Sequence, residues 1–143
     1  GHAAAVQNGR MPSSAVEDSP LTIGDWSPKN FDGKFQGTIP MRRALYQSRN
    51  LAAVNVAQEV GVPNVIGMAR RFGLGTPIPN YPSIALGAAS VFPIEMIGAY
   101  TTFASLGTHA EPYGIVRVTD AQGQILWEPE PRRESVLSAE EAY

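Results

Sequence analysis

The residues of this sequence that best suit chemistry are a serine and an asparagine two positions apart, Ser48 and Asn50. They stand in a short break between two runs with helical spacing of apolar residues. A hydroxyl both donates and accepts hydrogen bonds, and a carboxamide can orient a ligand without bringing a charge. The pair could therefore serve a polar site that binds a ligand or passes on a proton.

The same two residues also suit a purely structural role. Asn50 is a good N-cap for a helix beginning at Leu51, and Ser48 can satisfy a backbone group at the end of the preceding helix. No histidine or lysine stands nearby to make Ser48 a nucleophile, and arginine stays protonated and cannot act as a base. The nearest charged residues are Arg42, Arg43 and Arg49. On its own, the Ser-x-Asn spacing favours capping.

Composition limits the classes of function. The 143 residues are 43% hydrophobic and 17% charged, which is typical of a folded globular chain of about one domain. A net charge of −2 argues against binding to nucleic acid or anionic lipid. The chain has no cysteine and only two histidines, His2 and His109. We read His2 as a tag remnant and His109 as a solvated loop residue, so we predict no metal site and no cofactor.

Periodicity predicts four main helices followed by a β-hairpin. The first begins at Thr38 with Pro40 in its first turn, and the last is an almost uncharged helix that we expect to be buried. The hairpin is predicted over residues 114–119 and 124–128, around a turn at 120–123. The four helices are expected at about residues 38–47, 51–61, 63–72 and 93–106.

Residues 12–37 are rich in proline, serine, aspartate and glycine and predict a long irregular segment. We expect its aromatic residues, Trp26, Phe31 and Phe35, to pin this segment to the core. Helix signals also stand at both ends of the chain: Asn8-Gly9 ends a helix, and a capping box at residues 138–141 opens one. We therefore expect residues 1–2 to be a tag remnant and residues 3–143 to be a partial domain, truncated at both ends.

Three long runs of the sequence match motif patterns of one protein family, in that family's order. The first is DWSPKNFDGKFQGTIPMRRALYQSRNLAAVNVAQEVG, which resembles a region in which SPxNxDGxFxG leads to LRxALxxSxN and then xAVxxAxxVG. The second, PSIALGAASVFPIEMIGAYTTFASLG, resembles the later PSxALGxxxVTPLEMxxAYxxFAxxG segment, and the third, PYGIVRVTDAQGQILWE, is similar to the IxxVxDxxGxxL hairpin. Together they resemble class A penicillin-binding proteins, which implies a mixed α/β fold, with a mainly helical lobe and a β-hairpin from an incomplete β-lactamase/transpeptidase-like domain.

The family cross-links peptidoglycan stem peptides through an acyl-serine intermediate and is built on Ser-x-x-Lys, Ser-x-Asn and Lys-Thr-Gly motifs around one cleft. The resemblance implies that Ser48 is a proton relay and that Asn50 binds the substrate amide. It implies stem peptides and β-lactams as partners, and a periplasmic location with a membrane anchor outside this chain. Neither Ser-x-x-Lys nor Lys-Thr-Gly occurs here, and Phe92 replaces the family's usual threonine cap.

Two functions remain open at this stage. The first is a middle fragment of a D,D-transpeptidase domain that is inactive alone because it lacks the nucleophile. The alternative is a non-catalytic transpeptidase-like module that binds a partner. In either case an incomplete lobe would leave the helix after Pro93 with an exposed apolar side, so we expect self-association or pairing with the missing part of the domain.

Overall fold

The computed structural model describes all 143 residues, which divide into two units. The first unit comprises Gly1–Arg70 and Thr76–Ser90, and the second comprises Arg71–Gly75 and Val91–Tyr143. No helix is both long enough and apolar enough to cross a membrane.

The first unit is built around helix α3. This helix packs against α1, α2, β1 and a 3₁₀ turn at Pro82–Leu86. The elements up to α4 are α1 His2–Gln7, β1 Ala15–Asp18, β2 Gly37–Pro40, α2 Met41–Tyr46, α3 Asn50–Val60 and α4 Val62–Arg71.

A two-stranded antiparallel ladder replaces the predicted start of the first main helix. β1 and β2 pair with Val16 opposite Ile39, and both side chains are buried in a core cluster with Met41 and Ala52. The prediction that Thr38 caps this helix is therefore wrong, because Thr38 lies in β2 and α2 begins at Met41. Helices α3 and α4 begin and end within about a residue of their predicted limits.

Of the three aromatic residues expected to pin the irregular loop at 19–36, only Trp26 is partly buried. Phe31 is fully exposed and Phe35 is half exposed, so the predicted pinning by these two residues is wrong. Asn30, by contrast, is buried within the same loop, together with Asp18 at its start. Polar contacts therefore fasten this segment, and they converge on the site described below.

The second unit contains one long helix and two small antiparallel ladders. β3 pairs with β6, and β4 pairs with β5 in the predicted hairpin, which is shorter than expected and contains an irregularity in register. The C-terminal capping box forms as predicted, between Ser138 and Glu141. The elements are α5 Pro93–Ala104, β3 Thr108–Ala110, β4 Val118–Thr119, β5 Ile125–Trp127, β6 Arg133–Ser135 and α6 Ala139–Ala142.

Helix α5 is buried on one side only. Ala99 and Thr102 are buried, whereas Ile97 is 60% exposed and Tyr100 is 70% exposed. The expectation of a buried core helix is thus wrong for the apolar side, and the alternative expectation of an exposed apolar side is confirmed. Phe92 is also largely exposed and makes no side-chain cap, so it provides no packing in place of the family's threonine.

The interpretation of His109 as a solvated loop residue is wrong as well. His109 lies in β3, is partly buried, and has its Nδ1 3.3 Å from the hydroxyl of the buried Thr102. A Cβ at Gly73 would lie 2.6 Å from the His109 ring, so this glycine makes room for the imidazole. His109 is therefore a packing residue of the second unit.

Candidate active-site groove

Ser48 terminates helix α2 with its backbone. The Ser48 N–H donates to the Leu45 carbonyl at 3.0 Å, and the Arg49 N–H donates to the Ala44 carbonyl at 2.9 Å. This is the hydrogen-bond pattern of a Schellman motif, in which the residue after the C-cap adopts a left-handed conformation. Ser48 has φ of 53°, one of only two positive values among the non-glycine residues.

The side chain of Ser48 takes no part in this cap. Ser48 is exposed, and its hydroxyl has no hydrogen-bond partner within the chain. The interpretation that the Ser48 side chain satisfies a backbone group at the helix end is therefore wrong, because only its main chain does so. The hydroxyl is therefore free to contact a ligand or a reacting group.

Asn50 is the first residue of α3 and does not cap it, contrary to the capping interpretation. The N-cap position is Arg49, whose side chain makes no cap hydrogen bond. Instead, the Leu51 N–H donates at 3.2 Å to the side-chain oxygen of Asn30, which comes from the preceding loop. The Asn50 amide reaches outwards and donates through Nδ2 to the Lys29 carbonyl at 3.0 Å.

Ser48 and Asn50 line one groove of the first unit. The groove has a volume of about 230 Å³, with walls from the α2–α3 junction and the 3₁₀ turn. Its other lining residues are His2, Ala44, Leu45, Arg49, Ala53, Ala85 and Leu86. The structure thus brings the two sequence-predicted site residues together at a concave surface.

His2 opens α1 and contributes to the same groove. Its Nε2 atom is buried and has no hydrogen-bond partner. Burial, followed by the neighbouring N-terminal charge, lowers the pKa of His2. The imidazole is therefore held towards its neutral form, in which one ring nitrogen can accept a hydrogen bond.

Between the two groove residues, the Arg49 side chain points into the protein. Its Nε donates to Asp18 at 2.8 Å, one terminal nitrogen donates to Asp32 at 2.9 Å, and the other donates to the Lys34 carbonyl at 2.5 Å. The Arg49 side chain is 7% exposed and that of Asp18 is fully buried. Planar guanidinium groups suit such multiple contacts, since their donors stand in a fixed fork.

The charges of this cluster stabilise one another. The Lys34 N–H and then the Arg49 guanidinium lower the pKa of the Asp32 carboxyl. Hydrogen bonding to Asp32, more than to Asp18, raises the pKa of Arg49 against the opposing effect of burial. Both shifts favour the charged forms of Asp32 and Arg49.

Sequence reasoning did not identify Asp18 or Asn30 as residues of the site. Asn30 and Asp32 stand in the SPKNFDG run that carries the family resemblance, so their positions offered a signal. Asp18 offered none, because it ends a short strand 31 positions before its partner Arg49. Only the fold brings these residues together.

Comparison with known proteins agrees with this fold. The family model described as the penicillin-binding protein transpeptidase domain matches residues 2–143. Penicillin-binding protein 1A of Pseudomonas aeruginosa is 38% identical over 139 residues, and that of Aquifex aeolicus is 42% identical over 113 residues. These matches cover 92% and 79% of this chain but 17% and 15% of the relatives, so the chain spans about a sixth of their length.

Solved structures give the same result. The crystal structure of penicillin-binding protein 1A from Haemophilus influenzae matches with a TM-score of 0.82 at 34% identity, covering 92% of this chain and 20% of that one. PonA1 from Mycobacterium tuberculosis matches with a TM-score of 0.89 at 23% identity, covering 99% of this chain and 42% of that one, which shows a shared fold. The chain therefore belongs to the penicillin-binding protein transpeptidase domain family.

Proposed function

We propose that this chain is part of a serine-type D,D-transpeptidase domain and supplies the Ser-x-Asn portion of its active site. In this proposal Ser48 relays a proton and Asn50 binds the substrate amide. The substrate is a peptidoglycan stem peptide, and β-lactams bind at the same place. The observation that carries the proposal is the strained backbone of Ser48, whose hydroxyl lies unbonded in the groove beside Asn50.

A comparison within the chain indicates that the serine is not there for the helix end. Helix α1 ends in the same hydrogen-bond pattern, with the Gly9 N–H donating to Val6 and the Arg10 N–H donating to Ala5. Gly9 occupies the left-handed position with φ of 84°, where glycine meets no steric penalty. A serine at the equivalent position of α2 is less favourable, and unfavourable conformations of this kind concentrate at functional sites.

The Asn50 amide keeps hydrogen-bonding capacity for a ligand. Its contact with the Lys29 carbonyl uses one of two N–H donors and fixes the side-chain direction. The second N–H and the amide oxygen have no partner within the chain. An amide held in this way can pair with both the N–H and the C=O of a peptide bond, which suits a stem peptide or the amide of a penicillin side chain.

In the proposed reaction Ser48 works beside a nucleophile that this chain does not contain. The nucleophilic hydroxyl loses its proton as it attacks the carbonyl, and the leaving amine gains one. A hydroxyl that both accepts and donates can connect these two transfers without changing its own charge. Because Ser-x-x-Lys and Lys-Thr-Gly are absent from the 143 residues, we propose that the chain alone is inactive. The longer protein is proposed to act outside the cytoplasmic membrane, anchored by a segment outside this chain.

Covalent labelling with a fluorescent penicillin tests this proposal. We expect the longer protein containing this chain to be labelled, and the Ser48→Ala and Asn50→Ala variants to be labelled at least tenfold more slowly. The isolated chain should not be labelled. Glu59→Gln, which removes an exposed ion pair with Arg10, is the matched control and should be labelled at the wild-type rate.

Normal labelling of the Ser48→Ala variant, or stoichiometric labelling of a serine in the isolated chain, would refute the proposal. Absence of labelling in the longer protein itself would favour the partner-binding module.

A further inference from the structure

We infer that Arg49, together with Asp18 and Asn30, is a positioning device that holds Ser48 and Asn50 in the groove. The inference rests on the proposed function for the roles of those two residues. Neither Arg49 nor its two partners is proposed to touch the substrate. They act through the backbone between two helices.

The first step concerns the direction of consecutive side chains. Arg49 has an extended backbone with φ of −75° and ψ of 108°, and its side chain is directed to the buried Asp18 carboxylate. The Arg49 side chain is buried, whereas Ser48 is exposed and Asn50 is partly exposed. The arginine is therefore anchored inside the protein between two neighbours that remain accessible.

The second step concerns what fixes the arginine. Asp18 lies at the end of β1 with no exposed surface, and its carboxylate accepts three hydrogen bonds. The donors are Arg49 Nε at 2.8 Å, Asn30 Nδ2 at 2.6 Å and the Gln36 N–H at 3.0 Å. Since β1 is paired along its length with β2, this carboxylate is a fixed point for the guanidinium.

The third step concerns the start of α3. Asn30 Oδ1 accepts the Leu51 N–H, while its Nδ2 donates to Asp18 and to the Lys34 carbonyl. One buried side chain thus connects the first turn of α3 to the same carboxylate that holds Arg49. The Arg49 side chain and the backbone at the start of α3 are therefore tied to one carboxylate, which fixes the position of the Asn50 backbone between them.

The fork of Arg49 is essential to this arrangement. Its three nitrogens reach Asp18, Asp32 and the Lys34 carbonyl at once. A lysine would keep the charge but offers a single ammonium, which cannot occupy three separate positions. Arg49→Lys therefore preserves charge while loosening the junction, and misplacement of a catalytic group by about 1 Å can reduce a rate about 100-fold.

Acylation kinetics of the longer protein with fluorescent penicillin provide the first test. We expect Arg49→Lys and Asp18→Asn to reduce the maximal acylation rate about 10- to 100-fold in protein that circular dichroism shows to be folded. Glu59→Gln removes a surface ion pair of the same unit and should leave this rate within twofold. A folded Arg49→Lys variant with the normal maximal rate would overturn the inference.

Amide hydrogen exchange of the 143-residue chain provides a readout that does not depend on activity. In the Asp18→Asn and Arg49→Lys variants we expect at least tenfold faster exchange of the Arg49 and Leu51 amides, whose acceptors are Ala44 and Asn30. Amides in the middle of α3 should exchange at the wild-type rate. A merely global loss of stability would accelerate these amides as well, so they distinguish the two effects. Unchanged exchange at Arg49 and Leu51 would overturn the inference. A failure of the wild-type longer protein to react with penicillin would instead refute the proposed function.

Discussion

At the scale of single residues, the backbone conformation of Ser48 lowers the stability of the fold, whereas its hydroxyl is needed for the proposed role. Its φ of 53° suits glycine, yet a glycine would remove the hydroxyl from the groove. A left-handed conformation costs a non-glycine residue about 1–2 kcal/mol, and glycine avoids this cost. Glycine also gives the unfolded chain more conformational entropy, which lowers the free energy of unfolding by about 0.4–1 kcal/mol. We therefore expect Ser48→Gly to raise the free energy of unfolding by about 0.5–1 kcal/mol, as measured by urea denaturation.

Ser48→Ala is the matched variant for this measurement. It removes the same hydroxyl but keeps the strained backbone, so the free energy of unfolding should change by less than about 0.5 kcal/mol. Both variants should reduce penicillin acylation of the longer protein. Destabilisation by Ser48→Gly would contradict the prediction, and a loss larger than this limit in Ser48→Ala would show that the hydroxyl supports the fold.

Ionisation of Asp32 is predicted to make the free energy of unfolding depend on pH in the acid range. Its pKa is lowered by the Lys34 N–H and by Arg49, so the folded state favours the ionised carboxylate. The stabilisation is complete above the unfolded pKa of about 4 and is lost as the pH falls through the lower folded value. We expect Asp32→Asn to flatten the fall in the free energy of unfolding below about pH 4, with a modest effect because the side chain is 46% exposed. An unchanged acid profile in this variant would contradict the prediction.

Ser48 and Asn50 could be predicted as site candidates from the family resemblance of the runs around them, whereas their spacing alone favoured capping. Their supporting contacts could not be predicted in the same way. Asn30 contacts α3 from 21 positions away, and Asp18 contacts Arg49 from 31 positions away. Such pairings depend on where a loop crosses the surface, which local patterns do not encode.

At the scale of elements, local end signals predicted well and long-range pairing did not. Gly9, Gly61 and the capping box at Ser138 mark helix ends as expected. The β1–β2 and β3–β6 ladders were missed, because each joins short strands that are about 20 residues apart. The first of these errors also shifted the predicted start of α2, since a strand residue before a helix can resemble its cap.

Gly107 illustrates an element boundary with a specific steric requirement. It has φ of 93°, and a Cβ at this position would lie 2.2 Å from the Leu137 carbonyl oxygen. The Gly107 carbonyl also accepts the N–H groups of Val136 and Leu137, which joins the end of α5 to the chain after β6. We expect Gly107→Ala to lower the free energy of unfolding by about 2–4 kcal/mol, as measured by chemical denaturation.

Gly123 in the β4–β5 turn is the control for this prediction. It has a similar φ of 83°, but no atom lies within 4 Å of a Cβ built there. Gly123→Ala should therefore lower the free energy of unfolding by about 1 kcal/mol, through backbone conformation alone. Equal losses in the two variants would mean that the contact with Leu137 adds nothing.

At the scale of the whole molecule, the two units differ in how completely their apolar surface is covered. The core of the first unit buries Val16, Ile39 and Leu51 almost fully. In the second unit, a set of large apolar side chains on α5 and along the hairpin segment is at least half exposed. Its members are Ile94, Ile97, Tyr100, Ile115, Val116 and Leu126. Exposed apolar surface of this extent is typical of a face that another chain or segment covers.

We expect this exposed surface to make the isolated chain self-associate. Sedimentation velocity should show a mean sedimentation coefficient that rises with protein concentration, because association removes apolar surface from water. Ile97→Glu places a charge on the exposed side of α5 and should raise the dissociation constant of self-association at least tenfold. Met11→Glu replaces a side chain of the first unit that is similarly exposed, at 63% against 60%, and should leave association unchanged. A monomer at all concentrations with a cooperative thermal transition would contradict the prediction, since the second unit would then be stable with its apolar side in water.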